Sequence, residues 1–553
     1  MHYDDTETQS CDHCGAKKWN ILGDSESGYV LTEDGNKNCV KRTGKSALSI
    51  RCEKGYSTMQ LQFVSKDDIE KMSSDGAKYI KAAADNDIGL VESYVNLGID
   101  VNFRDWDQLT ALIAASGNGH FEMIKYLTSI HADVNLHDQD NITAVMEASR
   151  GGFTDIVYYL ASVGAHLDDR SKAGASSLWF AAGEGHSDIV EFLISKGCNV
   201  NNKRADNVSA LMTASSAGHA SVVQLLLQSG ANIQGSDKDG ITALISACEN
   251  GSLPIVQMLL NNLKDTDEIN AVSATGFSPL IIASAHGHLE VVKLLVDSGA
   301  TIDMDHKEDV TALMYAASGG FPDVVEFLIG VGSNVNRRHR QGGSALLEAC
   351  TAGNASVVNI LLEAGAEYDI VDNDGVTALM SASAQGHTEI VKILLAKGLE
   401  VNRKANSGGT AIMFAAGGGY NETTKVLLEH DADVNVVVRA TPDYMEQVSK
   451  ALAEGRDDVE PHKDGVTALV LAAQGGHFGT VSMLVAAGAD VAFTDDEGLT
   501  PLLHAAAGKY VSVASFLVAH GANPNDEYID EKVLFTIIYY LIEFLIDSKF
   551  RTS

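Results

Sequence analysis

The sequence predicts an all-α repeat solenoid, preceded by a small β-rich module that carries cysteines. Two observations predict the repeats. Thr or Ser recurs with a step of 33 residues over most of the chain, as expected of a protein built from one small stacked unit. Each Thr or Ser opens the same pattern, in which a short Leu- and Ala-rich run is followed by a second apolar run and a glycine. This pattern is typical of two short helices and a turn.

The recurring hydroxyl residue marks twelve of thirteen predicted repeats, and a degenerate first copy begins at Ala77. The steps are 33 residues except for one of 36 and one of 57. We therefore predict a repeat array over residues 76–526. The marker positions are Thr110, Thr143, Ser176, Ser209, Thr242, Ser278, Thr311, Ser344, Thr377, Thr410, Thr467 and Thr500.

The physical chemistry of each position supports this interpretation. Thr or Ser is suited to cap the first helix, because its hydroxyl accepts from backbone N–H groups that have no helical partner. The second run places Ile or Val and Leu at i and i+4 spacing, which predicts an apolar stripe on one helix face. The glycine after it is suited to the left-handed residue that ends a helix. A unit of this size cannot bury its stripe alone, so neighbouring units must stack.

The period and the pattern resemble the ankyrin repeat. The residues that carry the resemblance recur in register, as DGITAL at 239–244, GHSDIV at 185–190, LLLQSGA at 225–231 and ADVN at 432–435. The resemblance extends over most of the chain. It implies helix–turn–helix units joined by hairpin loops, and protein partners bound at the hairpin tips and at the exposed turn of the first helix.

Two segments depart from the period. The step of 57 residues predicts an insert at about 437–460, which we interpret as a helical insert on a hairpin loop because Thr441 and Pro442 favour a helix start. It is either functional or a tolerated surface insertion. Residues 527–553 include an apolar run at 533–546, which predicts a capping helix over the last repeat. The alternative for this run is a surface for a partner or for self-association.

Residues 1–75 lack the period and predict a small β-rich module. Alternating apolar residues favour strands at 29–31, 47–50 and 57–64. The module holds four of the seven cysteines in the chain, Cys11, Cys14, Cys39 and Cys52.

Two chemistries compete for these four cysteines. The Cys11–Cys14 spacing resembles a zinc knuckle, and four thiolates suffice for tetrahedral zinc, but a second knuckle is missing. Residues 28–39 resemble the closing part of an epidermal-growth-factor-like module, which favours two disulfides in a secreted protein. We favour disulfides, and all three pairings of four cysteines stay open.

Composition limits the partners and leaves the compartment open. The formal net charge is −34, so duplex nucleic acid and anionic membranes would repel the chain. No segment is long and apolar enough to span a bilayer, and the polar residues 1–20 predict no signal peptide. The repeat class favours an intracellular protein and the cysteine module a secreted one. Glycosylation sequons occur at Asn141, Asn207, Asn354 and Asn421.

No motif in the sequence predicts catalysis or a cofactor. Phosphate-binding glycine loops, Gly-x-Ser-x-Gly and His-Glu-x-x-His are all missing. The Asp-x-Asp-Gly segments at 237–240 and 372–375 lack the further oxygen ligands of a calcium loop, so we interpret them as turns. Six Gly-His pairs recur at one place in the repeat, which favours a structural role. We therefore predict that the protein is not an enzyme.

The hairpin loops carry the candidate partner-binding residues. Basic residues recur at equivalent hairpin positions of an otherwise acidic chain, which predicts a discontinuous basic row suited to an acidic protein segment. Ordinary solvated tips are the alternative. Trp106 is a candidate anchor, because aromatic side chains dominate interface energies. The basic candidates are Arg170, Lys172, Lys203, Arg204, Arg337, Arg338, Arg340, Arg403 and Lys404.

These observations predict a non-enzymatic scaffold that binds other proteins along its repeats. The first alternative is a structural subunit of a larger assembly, in which the terminal segments make fixed contacts. The second is an enzyme regulated by its repeats, which the short N-terminal module disfavours.

Overall fold

The computed structural model describes four short strands between residues 19 and 63, and then residues 66–263, 266–304, 308–439 and 465–524. Side chains are described from residue 74 onward, except those of residues 266 and 267. Three predicted features lie outside the described residues: the four N-terminal cysteines, the interior of the insert and the segment 527–553. The predictions made for them stay predictions.

The strands form two antiparallel pairs. Strand β1 (Trp19–Asp24) pairs with β2 (Gly28–Glu33), with Trp19 opposite Glu33. Strand β3 (Leu48–Ile50) pairs with β4 (Leu61–Phe63). Strands β2, β3 and β4 fall on the three segments predicted to be extended, whereas β1 was not predicted.

The rest of the described chain is helical, apart from loops and isolated β-bridges. A short 3₁₀ helix, Thr266–Asn270, occupies the loop that lengthens one repeat to 36 residues. The α-helices, α1 to α26 in chain order, are Lys66–Ala84, Ile88–Asn96, Ala111–Gly117, Phe121–Ser129, Ala144–Arg150, Thr154–Ser162, Ser177–Gly183, Ser187–Ser195, Ala210–Ala217, Ala220–Gln228, Ala243–Asn250, Leu253–Asn262, Pro279–Ala285, Leu289–Asp297, Ala312–Gly319, Pro322–Gly330, Ala345–Ala352, Ala355–Glu363, Ala378–Ala384, Thr388–Ala396, Ala411–Gly417, Asn421–Glu429, Ala468–Gln474, Phe478–Ala486, Pro501–Ala507 and Val511–Ala519.

Consecutive helices pair, so the described residues contain thirteen helix pairs, as the period predicts. The predicted all-α repeat fold is confirmed. Helix α1 runs through residue 75, where the sequence places the start of the array. The chain divides into two units, which we call unit 1 (Met1–Ala231) and unit 2 (Asn232–Ser553). We call each hairpin loop between one helix pair and the next a finger.

The first helix of most pairs begins at a hydroxyl cap. Thr110 Oγ1 accepts a hydrogen bond from the backbone N–H of Ile113 at 3.2 Å, and Thr377 Oγ1 accepts from Met380 N–H at 3.2 Å. These bonds satisfy donors that the first turn of a helix leaves unpaired. Thr410 is an exception, since its hydroxyl makes no capping bond.

A leucine of the second helix lies in the core of twelve of the thirteen described pairs. The same position is fully buried in twelve successive pairs, so each stripe is covered by its neighbours. Removing each of these large apolar side chains from water stabilises its repeat. The twelve residues are Leu127, Leu160, Leu193, Leu226, Leu259, Leu295, Leu328, Leu361, Leu394, Leu427, Leu484 and Leu517.

Asparagine side chains join successive repeats within each unit. Asn336 Oδ1 accepts from the backbone N–H of Glu367 at 2.8 Å, and its Nδ2 donates to Gly365 O at 3.3 Å. Asn135 makes the same two bonds to the repeat after it, at 2.8 and 3.2 Å. One amide therefore satisfies a donor and an acceptor of the next repeat, which fixes the spacing between repeats.

The six Gly-His pairs have the structural role that their position predicts. His120 Nε2 lies 2.7 Å from Ala84 O, at the end of the preceding first helix. The other five rings reach the equivalent carbonyl oxygen at 3.0–3.1 Å. The imidazole thereby satisfies a carbonyl group that the helix end leaves without a partner.

Three cysteines of the array are buried free thiols, Cys198, Cys248 and Cys350. Burial raises the pKa of the Cys350 thiol from 9.0 to about 12. Burial, with a smaller contribution from Asp168, raises the pKa of Cys198 to about 11. Since the thiolate is the reactive form, all three are expected to be inert near neutral pH.

We expect iodoacetamide at pH 8 to leave these three thiols unmodified in the native protein and to modify them after denaturation. The folded thiols hold their protons between pH 9.0 and about 11–12, whereas unfolded thiols lose them. Their contribution to stability is therefore complete below pH 9 and is lost as the pH rises toward those values. Mass spectrometry after labelling, with urea titrations at pH 8 and pH 10, tests both points.

The same labelling separates the two chemistries of the N-terminal cysteines. Denatured, unreduced protein should expose three thiols if two disulfides are present, since the chain has seven cysteines. Seven labelled thiols with released zinc would contradict the disulfide prediction. Rapid labelling of Cys350 at pH 8 in the folded protein would contradict its burial.

Candidate protein-binding surface

The finger at residues 371–377 is a tight turn held by a side chain and tied to the finger after it. Asp372 Oδ1 accepts from the N–H groups of Asp374 and Val376, at 2.9 and 2.8 Å. Asp374 O in turn accepts from Asn406 N–H of the next finger at 2.8 Å. The Asp-x-Asp-Gly segments are therefore turns, as predicted.

Two of the predicted basic residues brace adjacent fingers. Arg170 Nε donates to Gly174 O at 3.1 Å within its own turn, and its Nη2 donates to Lys203 O of the next finger. Arg338 makes the same two bonds, at 2.8 Å within its turn and to Val371 O of the next finger. A planar guanidinium with five N–H donors is suited to such a double contact. These arginines therefore have a structural role, whether or not a partner also reaches them.

Arg337 and Arg403 also contact a neighbouring finger. Arg337 Nη1 donates to Asp303 O at 2.8 Å. Arg403 Nη1 is 2.6 Å from Asp369 Oδ1 and 3.1 Å from Asp369 O. Changing either residue would disturb the packing of fingers as well as the surface charge.

Arg204 belongs to an aromatic cluster of unit 1. Its guanidinium carbon lies 5.1 Å from the ring centre of Trp179, and its Nη2 lies 3.1 Å from Asp206. The rings of Trp179 and Phe180 pack edge to face at 5.4 Å. Trp179 is half-buried, so the cluster combines a cation–π contact with packing.

Four predicted basic residues extend from the fingers without bracing them. Lys172 and Lys404 are exposed and Lys203 is half-buried, and no side-chain bond ties these three to the described part of the chain. Arg340 is 61% exposed. Its guanidinium lies 3.8 Å from the carboxylate of Glu308 and 3.7 Å from that of Asp309. Exposed pairs at such distances contribute little stability, so Arg340 can exchange them for a partner at small cost. The three lysines have no such pair to give up in the described part of the chain.

Trp106 is held outward at the first finger tip. Its side chain is 89% exposed. Asp105 Oδ1 accepts from the N–H groups of Asp107 and Leu109, at 3.0 and 2.9 Å, which fixes the turn that carries the indole. An indole this exposed is suited to bury itself in a partner.

The insert joins the array at a narrow neck. Val438 N–H donates to Val466 O at 2.8 Å, and Gly465 N–H donates to Val438 O at 2.9 Å. Asn435 Nδ2 reaches Gly488 O at 3.0 Å, as other asparagines reach the next repeat. Helices α21 and α23 pack together directly, so the repeats before and after the insert stack as ordinary neighbours.

A cleft of about 290 Å³ lies in unit 2 between two fingers and the first helices α15 and α17. Met314 and Val310 supply its apolar lining, and the ring of Phe277 packs on Tyr315 at 5.2 Å. Burial, and to a lesser extent the Glu348 carboxylate, raises the pKa of the Tyr315 phenol.

His339 occupies the finger position that Asp holds elsewhere, and it orients Glu348 in this cleft. His339 Nδ1 accepts from Gln341 N–H at 3.1 Å, so its proton is on Nε2, which donates to Glu348 Oε1 at 3.2 Å. The last finger has the reverse pair at the same two positions, with Asp495 Oδ2 2.7 Å from His504 Nε2. Neither pair was predicted, although the nine-residue spacing is visible in the sequence.

The four sequons occupy different environments. Asn141 and Asn207 lie on turns with φ of 59° and 68°. Asn354 Nδ2 donates to two carbonyl oxygens of the preceding repeat at 2.8 and 2.9 Å, bonds that a glycan would displace. Asn421 opens helix α22 and accepts from the Thr480 hydroxyl at 2.8 Å. Glycosylation at these sites stays a prediction.

In the part of the chain that the structure describes, no cluster of three metal-ligating side chains occurs. No described helix is both long and apolar enough to cross a membrane.

A family model identifies the repeats. The family model described as Ankyrin repeats (3 copies) matches residues 79–171, 178–271, 211–307, 263–339, 280–372, 346–438 and 439–528. The chain is similar to the crystal structure of the human ASB11 ankyrin repeat domain, with 28% identity and a TM-score of 0.38, over 41% of this chain and 99% of that one. No curated protein matches the chain. The chain belongs to the ankyrin repeat family, whose repeats are generally protein–protein interaction modules.

Proposed function

We propose that the chain is a non-enzymatic scaffold that binds protein partners along its repeat surface and through its fingers. The observation that carries this proposal is a set of finger side chains that do not brace the neighbouring fingers. Lys172, Lys203, Arg340 and Lys404 add positive charge to a chain of net charge −34 without bracing its fingers. Trp106 adds an apolar anchor at 89% exposure.

The partners that this surface fits are proteins with acidic segments. Basic side chains on nearby fingers of one unit would attract carboxylates spaced along an extended segment. Such complementary charge raises the association rate and the specificity of binding more than the affinity. The braced arginines Arg170 and Arg338 keep the backbone of these fingers in place. We therefore expect the unbraced residues to contact the partner and the braced arginines to fix the backbone that carries them.

Charge reversal of the unbraced residues should remove partners selectively. We expect Arg340→Glu with Lys404→Glu in unit 2, or Lys172→Glu with Lys203→Glu in unit 1, to lower retention of bound proteins about tenfold, because each reversal removes one weak attraction and adds a repulsion. Pull-down with quantitative mass spectrometry measures the retention.

The matched control reverses two exposed lysines away from the fingers, Lys397→Glu just after helix α20 and Lys425→Glu in helix α22, which changes the net charge equally. Proteins lost from the finger variants and kept by the control support the proposal. Equal retention by all three variants would show that the fingers do not bind partners.

A further inference from the structure

We propose that the cleft between α15 and α17 receives one cationic side chain, Lys or Arg, of a bound protein segment. This inference rests on the proposed function for the origin of the side chain, but the cleft can be tested without a partner. A cleft of about 290 Å³ is at the small end of ligand sites, and its size suits a side chain rather than a larger ligand.

The charge of the lining selects a cation. Two carboxylates, Glu308 and Glu348, line the cleft, and no Lys or Arg side chain is among its described lining residues. His339 Nδ1 accepts a backbone N–H, so the ring reaches the cleft through its Nε2–H, which is bonded to Glu348. An anionic guest would be repelled by both carboxylates, and a neutral guest would gain less from them than a cation.

Glu348 is prepared for this role by its neighbour. The His339 Nε2–H bond occupies Oε1 at 3.2 Å, which is one of about four acceptor positions of a carboxylate. The Glu348 side chain is 34% exposed, so a guest can reach it while part of its surroundings is already dry. A fixed, partly desolvated carboxylate binds a cation more strongly than a mobile exposed one.

The apolar lining suits the methylene stem of the same guest. Met314 is 1% exposed and lines the cleft together with Tyr315. Phe277 packs on the Tyr315 ring at 5.2 Å with an angle of 47° between their planes, which restricts the ring. A long basic side chain can bury its stem on such a surface while its head reaches the carboxylates.

Arg340 stands at the rim and acts as a competitor. Its guanidinium is 3.8 Å from Glu308, so its positive charge would oppose that of a guest cation. Removing this charge should therefore strengthen binding of a cation in the cleft, whereas reversing it should weaken binding of acidic partners to the fingers. The two effects of one residue have opposite signs, so the cleft and the fingers can be tested separately.

The test uses the full chain labelled with ¹³C at the methionine methyl groups, with Met314→Leu to assign the signal. n-Butylguanidinium and n-butylammonium are titrated as Arg and Lys analogues, and n-butanol and n-butyrate as neutral and anionic controls. We expect a saturable Met314 shift with at least one cation and none with the controls.

Three variants complete the experiment. Glu348→Gln keeps the shape and should weaken the cation about tenfold. Arg340→Gln should tighten it a few-fold, and Glu326→Gln, on the exposed side of α16, should change nothing. Thermal unfolding confirms that each variant is folded. No saturable shift, an equal shift with n-butanol, or unchanged binding to Glu348→Gln would overturn the inference and leave the finger proposal to its own pull-down test.

Discussion

Leu361→Ala is expected to lower the free energy of unfolding by about 2–5 kcal/mol, as large-to-small changes at sealed core positions do. Leu361 is 0% exposed in helix α18, at the position where twelve successive pairs bury leucine. Because the pair is covered on both sides, little can collapse into the space left behind. Urea unfolding of the full chain, followed by circular dichroism, measures the loss.

The shape of the transition should change as well. In a repeat protein each unit is stabilised by its nearest neighbours, so one weakened repeat uncouples the two sides. We expect Leu361→Ala to split or broaden the transition. Leu362→Ala removes the adjacent, half-buried leucine and should cost less than about 2 kcal/mol. Equal losses for the two variants would contradict the buried stripe.

Gly408→Ala is expected to destabilise unit 2 at the neck of the insert. Gly408 has φ of +85°, and an added Cβ would lie 2.5 Å from the amide nitrogen of Arg439 and nearer still to its carbonyl oxygen. The obstructing atoms are backbone, so a rotamer change cannot relieve the clash. The expected cost is about 1–2 kcal/mol for the left-handed conformation and about 1–3 kcal/mol more for overpacking.

Gly398→Ala measures the conformational contribution alone. Gly398 has the same φ of +85°, and nothing lies within 4 Å of its added Cβ. It should therefore cost only the conformational part. Thermal unfolding of both variants gives the difference directly, and a Gly408→Ala protein no less stable than Gly398→Ala would mean that the neck is more loosely packed than described.

The repeat fold could be predicted because its determinants recur. Thr377 caps its helix, Leu394 fills its core and His387 bonds its neighbour by rules that act on each repeat alone or on a fixed offset. A side chain that obeys the same rule in many copies is visible as a period. The hydroxyl caps, the buried leucines and the structural role of the Gly-His pairs were therefore correctly predicted.

The candidate surface could be predicted only in part. Arg338 and Arg340 look alike in the sequence, but Arg338 donates to the carbonyl of Val371 in the next finger whereas Arg340 extends outward. That difference depends on how two fingers pack, which composition does not encode. The cleft escaped prediction for the same reason, since Glu348 and Glu308 come together across a repeat boundary and neither breaks the period.

The neck at Val438 and Val466 makes this finger a suitable insertion site for protein engineering. Two backbone hydrogen bonds close the loop at its base, and the helix pairs on either side stack without it. Lengthening a closed loop costs only about 0.6 kcal/mol per doubling of its length, so we expect this loop to accept inserted residues at small cost. A reporter peptide, a cleavage sequence or an affinity tag inserted between residues 440 and 464 should leave helices α21 and α23 packed together as they are in the native chain.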